Sequence, residues 1–263
     1  MGFGVKGVIK KNLEWFLDSL KRGRDYSMVL LINIIFLSCS ITAILLIRGR
    51  LLGWISKINQ IDLSMVLMKT EVELGAINST LKGFVFFVLL SGIALFIFLV
   101  LICSLCQGGV WSIILKKKFS AGFFFKFLFA NFIWNSVWAI SLLAVIFMIK
   151  FPYSFYLTIV LLFLYVHLTI VMHIAYVKER VFNKTIRAIR LGVLRIHYFI
   201  IQYILIGIIA IALLRICYYI SSYILHLAFI YGIVFGLLVF LMFISMSQFY
   251  MAKAITMVIN RRR

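Results

Sequence analysis

The chain has 263 residues, of which 65% are hydrophobic and 13% are charged, with a single proline. A soluble domain carries about 25% charged residues, so this composition excludes an ordinary water-soluble fold and indicates an integral membrane protein. The net charge of +20 would suggest nucleic-acid binding in a soluble protein. In a membrane protein, basic residues retain loops in the cytoplasm and attract anionic headgroups, so we expect no nucleic-acid partner.

The first segment, 1–24, is amphipathic at helical spacing. Apolar residues recur on one face from Val5 to Leu20, and charged residues such as Lys10 and Asp18 occupy the opposite side. This pattern predicts a cytoplasmic helix. It lies either in the membrane interface or against the cytoplasmic ends of the spans.

Six apolar stretches are long enough to cross the bilayer core, which needs about 20 residues. They are 28–47, 84–105, 127–149, 155–177, 198–220 and 227–250. No long polar segment separates them. The sequence therefore predicts an all-α fold, a polytopic transmembrane helical bundle of about six spans that forms one membrane domain, 1–263, with amphipathic interfacial helices.

The distribution of basic residues predicts the orientation of these spans. Twenty of the 27 Lys and Arg residues flank one side, six flank the other, and Arg215 lies within the fifth span. Because cytoplasmic loops carry the excess of Lys and Arg, both termini are predicted to be cytoplasmic, with the cell membrane as the expected location. On the other side, the loop 48–83 carries apolar residues from Leu51 to Ile58, including Trp54, which suggest a separate interfacial helix.

Several polar residues fall inside the predicted spans, where hydrocarbon makes them costly and therefore candidates for function. These intramembrane candidates are Asn131, Asn135, His167 and Arg215. Asn131 and Asn135 either line a polar path or form interhelical hydrogen bonds, and His167 lies closest to mid-depth. Arg215 is close enough to the outer interface to reach water. In the sixth span, Gly232 and Gly236 form a GxxxG motif that permits close helix packing, within the bundle or between protomers.

The connection between the fourth and fifth spans, 178–196, predicts a second cytoplasmic amphipathic helix. Its apolar face runs from Phe182 to Ile196 at helical spacing, and basic residues gather on the other face. The basic residues predicted to contact lipid or a partner are Arg180, Lys184, Arg187, Arg190 and Arg195. Such a helix binds anionic lipid, docks a cytoplasmic partner, or only retains the topology.

Catalytic and metal-binding motifs are absent from the sequence. None of the seven Asp and Glu residues lies inside a predicted span, and no Walker A, HExxH or GxSxG motif occurs. Cys103 and Cys106 form a CxxC motif, but no second CxxC or nearby His completes a zinc site. We therefore expect no catalytic residue, no metal and no cofactor, and a protein that is not an enzyme.

The segment Glu179-Arg-Val-Phe-Asn-Lys-Thr-Ile-Arg-Ala-Ile-Arg-Leu-Gly, followed directly by a span, carries a family resemblance, as do Gly108-Gly109 at the end of the second span. Together they resemble functionally unassigned six-span prokaryotic membrane domains, including the one fused to some glycerophosphodiester phosphodiesterases. In that family an acidic residue opens a basic amphipathic helix between spans four and five, and Glu179 and Ala188 match the pattern. The resemblance implies the architecture. It carries over no catalytic residue, because the hydrolase domain is absent.

Two functions are compatible with these features. The first is a non-enzymatic membrane protein that engages anionic membrane lipids, or a cytoplasmic or membrane protein partner, through the basic helix. The second is a transporter or permease-like subunit that couples to a cytoplasmic protein through the same helix. In that case Asn131, Asn135 and His167 would face a cavity.

Overall fold

The computed structural model describes Glu14 and residues 23–59, 71–194, 196–225 and 229–260. The amphipathic helix predicted in 1–24 lies almost entirely outside these residues. Seven long helices occupy the described ranges: α1 (Gly23–Asn59), α2 (Glu71–Ile114), α3 (Ala121–Met148), α4 (Tyr153–Glu179), α5 (Phe182–Leu194), α6 (His197–Leu225) and α7 (Phe229–Asn260).

Six of these helices are long and apolar enough to cross a membrane; α5 is the exception. Their outward surfaces are strongly apolar. Phe147 and Met148 are 81% and 83% exposed, for example, which water would penalise and lipid would not. The predicted fold class, an all-α multi-pass helical bundle, is therefore confirmed.

The first two helices are longer than the predicted spans. α1 has 37 residues and α2 has 44, which at ~1.5 Å per residue is about 55 and 66 Å, against a bilayer core of about 30 Å. The separate interfacial helix predicted around Trp54 is wrong, because α1 continues unbroken to Asn59. The continuation packs on α2: the Trp54 ring stacks on Phe87 with ring centroids 6.0 Å apart.

The helices pack largely in chain order. α1 contacts α2, α2 contacts α3, and α3 contacts α4; α7 then contacts both α1 and α4, so that these five helices form a ring. α2 also touches α4 across this ring, α6 packs on α7, and α5 packs on α4. The polar candidates of α3 and α4 therefore lie at interfaces between helices.

Most buried side chains lie towards one end of the bundle. We call it the basic end, because it carries the α2–α3 connection with Lys116, Lys117 and Lys118 and the α4–α5 connection at Arg180. The largest buried side chains there are Trp111, Tyr250, Phe127, Phe199, Ile174 and Ile255. Towards the opposite end the helices share few buried residues, so the protein core sits at the level of the basic connections.

Local capping sets the helix ends at the basic end. The Phe123 backbone N–H donates to Ser120 Oγ at 3.3 Å, and α3 starts at Ala121, six residues before the predicted span 127–149. α4 ends at Glu179, and the capping residue Arg180 has a left-handed backbone with φ 55° and donates its N–H to the Tyr176 carbonyl at 2.8 Å. The predicted helix 178–196 is thus divided: Glu179 is the last residue of α4, and α5 begins at Phe182.

Candidate functional site

One face of α5 is made of small residues that pack against the bundle. Thr185 is 2% exposed and Ala188 is 5% exposed, and Gly192 is buried on the same side. A Cβ added to Gly192 would stand 3.2 and 3.3 Å from the two methyl groups of Val171 on α4. This small-residue face was not identified from the sequence, although the spacing of 185, 188 and 192 follows the helical repeat that could have revealed it.

The predicted apolar face of α5 is largely left uncovered by the protein. Ile186 and Val193 are each 50% exposed, whereas Ile189, at the edge of the packed face, is only partly buried. Arg187 and Arg190 are exposed as well. Apart from Leu191 and Leu194, which lie among the basic residues, the described side chains of α5 fall into three sectors: small residues on the protein, apolar residues facing outwards, and basic residues on the remaining side.

The structure brings the α4–α5 connection next to the α2–α3 connection, two basic segments that are distant in sequence. The Arg180 guanidinium donates a hydrogen bond to the Lys118 carbonyl and stands 5.2 Å from the ring centroid of Phe123. These contacts hold Arg180, between α4 and α5, against the α2–α3 connection. We call the exposed cations Lys116, Lys117, Lys118, Arg180, Arg187 and Arg190 the basic surface.

Two of the predicted basic contacts cannot be placed on this surface. Arg195 and the Lys184 side chain lie outside the described residues. Ala188, part of the family pattern, is buried on the packed face of α5, and Glu179 ends α4.

A buried hydrogen-bond chain links α2, α3 and α4 through Asn131, which is 0% exposed. Asn131 Nδ2 donates to Ser104 Oγ at 3.0 Å, and His173 Nε2 lies 2.8 Å from Asn131 Oδ1. Since Asn131 Oδ1 can only accept, His173 must carry its proton on Nε2. Asn135, one turn away, bonds through Oδ1 to the Tyr165 hydroxyl at 2.6 Å. The asparagines therefore serve as interhelical links in this structure.

His167, near the middle of α4, joins three helices and is 0% exposed. Its Nε2 lies 3.3 Å from the Gly192 carbonyl on α5, which can only accept, so Nε2 carries the proton. Its Nδ1 then accepts from the Tyr203 hydroxyl of α6 at 2.5 Å. This arrangement attaches α5 to the bundle at the same point where Gly192 packs on Val171.

A second polar cluster, which sequence reasoning missed, links α1, α2 and α7. Asn33 Nδ2 donates to Ser245 Oγ at 3.0 Å and to Gln248 Oε1 at 2.9 Å, and Gln248 Nε2 donates to Gln107 Oε1 at 3.3 Å. Asn33 lies within an apolar predicted span, so the same argument that selected Asn131 would have selected it. No second polar residue stands one turn away from Asn33 on the same helix, so no pair such as Asn131 and Asn135 marks this position.

The remaining candidates lie at the periphery. Arg215 is exposed on α6. A Cβ on Gly236 would have no heavy atom within 4 Å, so Gly236 makes no close helix contact among the described residues. Gly232 lies in α7, and its surroundings are outside the described residues. The described glycines that are closely packed are Gly83, Gly108 and Gly192. An added Cβ would stand 3.0 Å from Trp54 at Gly83 and 3.0 Å from Phe119 at Gly108.

No group of three or more His, Cys, Asp or Glu side chains suited to a metal ion occurs in the part of the chain that the structure describes. Cys103 and Cys106 are both free thiols on α2. The basic end instead exposes several cationic side chains, which can bind anions. Comparison of the chain with protein-family models, curated proteins and solved structures finds no match.

Proposed function

We propose that this multi-pass membrane protein is non-enzymatic and binds anionic membrane lipids through α5, which lies in the membrane interface. The observation that carries the proposal is the three-sector surface of α5. Its small residues are used for packing, so Ile186 and Val193 are free to enter the acyl boundary while Arg187 and Arg190 stay at headgroup level. The basic surface then faces the cytoplasm, as do both termini, in the cell membrane.

The contacts around α5 support a fixed position for this helix. The small-residue face and the His167 bond to Gly192 hold one side of α5 on α4, and Arg180 holds its start against the α2–α3 connection. A helix held in this way presents its cations without an ordering cost at each binding event. The proposal includes a relationship to the six-span domains fused to some glycerophosphodiester phosphodiesterases. This part of the proposal rests on Glu179 and Ala188.

The transporter or permease-like alternative requires polar residues that face a cavity. Asn131 and His167 are fully buried and have hydrogen-bond partners on neighbouring helices. Their burial favours lipid binding over this alternative.

The test compares lipid retention in two variants that each lose two charges. Protein released from bilayers of equimolar phosphatidylcholine and phosphatidylglycerol is analysed by native mass spectrometry. Each basic residue near an anionic surface contributes about 1 kcal/mol, so Arg187→Gln/Arg190→Gln should lower the preference for phosphatidylglycerol by up to about 2 kcal/mol, roughly 30-fold. The matched control, Lys150→Gln/Arg215→Gln, removes two exposed cations away from the basic end and should keep most of that preference.

Equal preference in both variants would contradict the proposal. Retention of a stoichiometric protein by chain released from its native membranes, lost in the Arg187→Gln/Arg190→Gln variant, would favour the permease-like alternative instead.

A further inference from the structure

A cavity of about 510 Å³ opens at the basic end between the start of α1 and the end of α2. It is separate from α5 and from the buried hydrogen-bond chains. Its lining combines one carboxylate, one hydroxyl, two ammonium groups and apolar side chains: Asp25, Ser112, Lys116, Lys117, Met28 and Phe119. A cavity with this mixture of opposite charges is suited to a polar ligand that carries both an anion and a hydrogen-bond donor.

Ser112 is the first indication that a ligand belongs in the cavity. The residue is 3% exposed, and its Oγ has no hydrogen-bond partner among the described residues. Buried hydroxyl groups almost always have a partner, and in membrane helices the backbone of the preceding turn often supplies one. In this structure Ser112 is one of the residues that line the cavity, but its Oγ is buried beneath the lining, so a bound group can pair with it only after a change of the Ser112 rotamer.

The backbone at Lys116 is the second indication. Its φ is 54°, and the amides of Lys116 and Lys117 donate to the carbonyls of Ile113 and Ser112 in the two-bond motif that ends many helices. Glycine is the usual residue at this left-handed position, because a side chain there is unfavourable. A lysine kept at such a position places an ammonium group in the cavity lining at a cost in backbone strain.

The described charged groups that line the cavity do not form ion pairs with one another. No ion pair joins Asp25 to Lys116 or Lys117 in the described part of the chain, although all three line the same cavity. Two ammonium groups and one carboxylate give the lining a formal charge of +1. A ligand that complements this lining has a charge of −1 and donates hydrogen bonds to the carboxylate. A phosphodiester with a hydroxylated headgroup has both properties.

The mouth of the cavity distinguishes a membrane lipid from a soluble phosphate. Met28, near the start of α1, is 43% exposed, and Phe119, in the α2–α3 connection, is 37% exposed. Apolar side chains at the rim suit acyl chains that pass from the cavity into the bilayer. These apolar side chains make no favourable contact with a small hydrophilic ion.

We propose that this cavity binds the headgroup of one anionic glycerophospholipid, with its phosphate between Lys116, Lys117 and the Ser112 hydroxyl and with its headgroup hydroxyls donating to Asp25. The site is discrete and stoichiometric, unlike the contacts of α5 with many headgroups. It does not depend on the function proposed for α5.

The test measures retention of one lipid per chain by native mass spectrometry after exposure to defined lipids. Phosphatidylglycerol should be retained in preference to zwitterionic phosphatidylethanolamine. Lys116→Gly removes the ammonium group but suits the left-handed backbone, so the protein should fold at least as well and retain phosphatidylglycerol at least about tenfold less. Ser112→Ala, which changes the packing little, should also weaken retention. Lys150→Gln, which removes one exposed ammonium group away from the basic end, is the control and should bind like the unmodified protein.

Asp25 is tested with two lipids of equal charge. Phosphatidylmethanol carries the same phosphodiester as phosphatidylglycerol but has no headgroup hydroxyl, so the unmodified protein should prefer phosphatidylglycerol and Asp25→Ala should remove that preference. Unchanged retention in Lys116→Gly and Ser112→Ala, or equal retention of phosphatidylethanolamine, would overturn the proposal. So would displacement of the lipid by inorganic phosphate or sn-glycerol 3-phosphate at millimolar concentration. Retention of the single lipid in Arg187→Gln/Arg190→Gln is expected, because those residues lie outside the cavity.

Discussion

Replacement of Gly192 by alanine should weaken the packing of α5 on the bundle. The new Cβ would stand 3.2 and 3.3 Å from the methyl groups of Val171 and 3.6 Å from Leu168 Cδ2. Val171 is 1% exposed, and a β-branched side chain in a helix has essentially one rotamer, so it cannot turn away. The strain must instead move α5, which lengthens the 3.3 Å contact between His167 Nε2 and the Gly192 carbonyl.

The size of the effect follows from two opposing contributions. An extra methyl group in a filled site costs about 1–3 kcal/mol. The change from glycine to alanine inside a helix returns about 0.5–1 kcal/mol. We therefore expect the local opening of α5 to become easier by about 1–2 kcal/mol, which is a roughly 5- to 30-fold faster hydrogen exchange at its backbone amides.

The assay is hydrogen exchange of residues 182–194 in lipid nanodiscs, followed by mass spectrometry of peptides. Gly236→Ala is the matched control, because its Cβ would enter open space, so only the helix-forming gain applies and exchange in α7 should slow or stay unchanged. Val171→Ala should restore most of the protection lost in Gly192→Ala, since it removes the two methyl groups that clash. The reasoning is refuted if Gly192→Ala slows exchange in α5 or leaves it unchanged, as Gly236→Ala is expected to do in α7. It is also refuted if the double variant Gly192→Ala/Val171→Ala exchanges faster in α5 than both single variants.

The two remaining predictions concern the buried hydrogen-bond chain and the orientation. Asn131→Leu removes the partner of His173, which is 3% exposed, and should lower the free energy of unfolding in mixed detergent micelles by about 1–3 kcal/mol. In a background without the native cysteines, single cysteines placed at Lys117 and Arg187 should react with a membrane-impermeant thiol reagent from the cytoplasmic side, and one at Lys150 only from the other side.

Each of these predictions has a control. Ser141→Ala should leave the free energy of unfolding nearly unchanged, because the Ser141 hydroxyl is exposed and bonds only to its own helix. Asn131→Leu/His173→Leu should recover stability relative to Asn131→Leu, because no polar group is then left without a partner. A further loss in the double variant would contradict the role assigned to this pair, and labelling of positions 150 and 187 from the same side would contradict the orientation.

Some properties of this protein follow from the sequence because they depend on local composition and length. Apolar runs of about 20 residues specify spans regardless of their neighbours, since the backbone must satisfy its own hydrogen bonds in lipid. Every predicted span therefore corresponds to one helix, and an amphipathic period in 178–196 corresponds to the separate helix α5. Helix ends were less predictable, because the start of α3 depends on the Ser120 cap and the length of α1 on packing against α2.

Only the tertiary structure decided which residues meet. His167 and His173 are close in sequence, yet one bonds towards α5 and α6 and the other towards α3, because residues six apart on a helix point in different directions. The sequence also did not reveal that Gly192 is closely packed whereas Gly236 is not, or that Asp25 and Lys116 share a cavity. These pairings depend on helix rotation and crossing. In a bilayer, apolar composition does little to determine either, since lipid and protein are equally suitable neighbours for an apolar side chain.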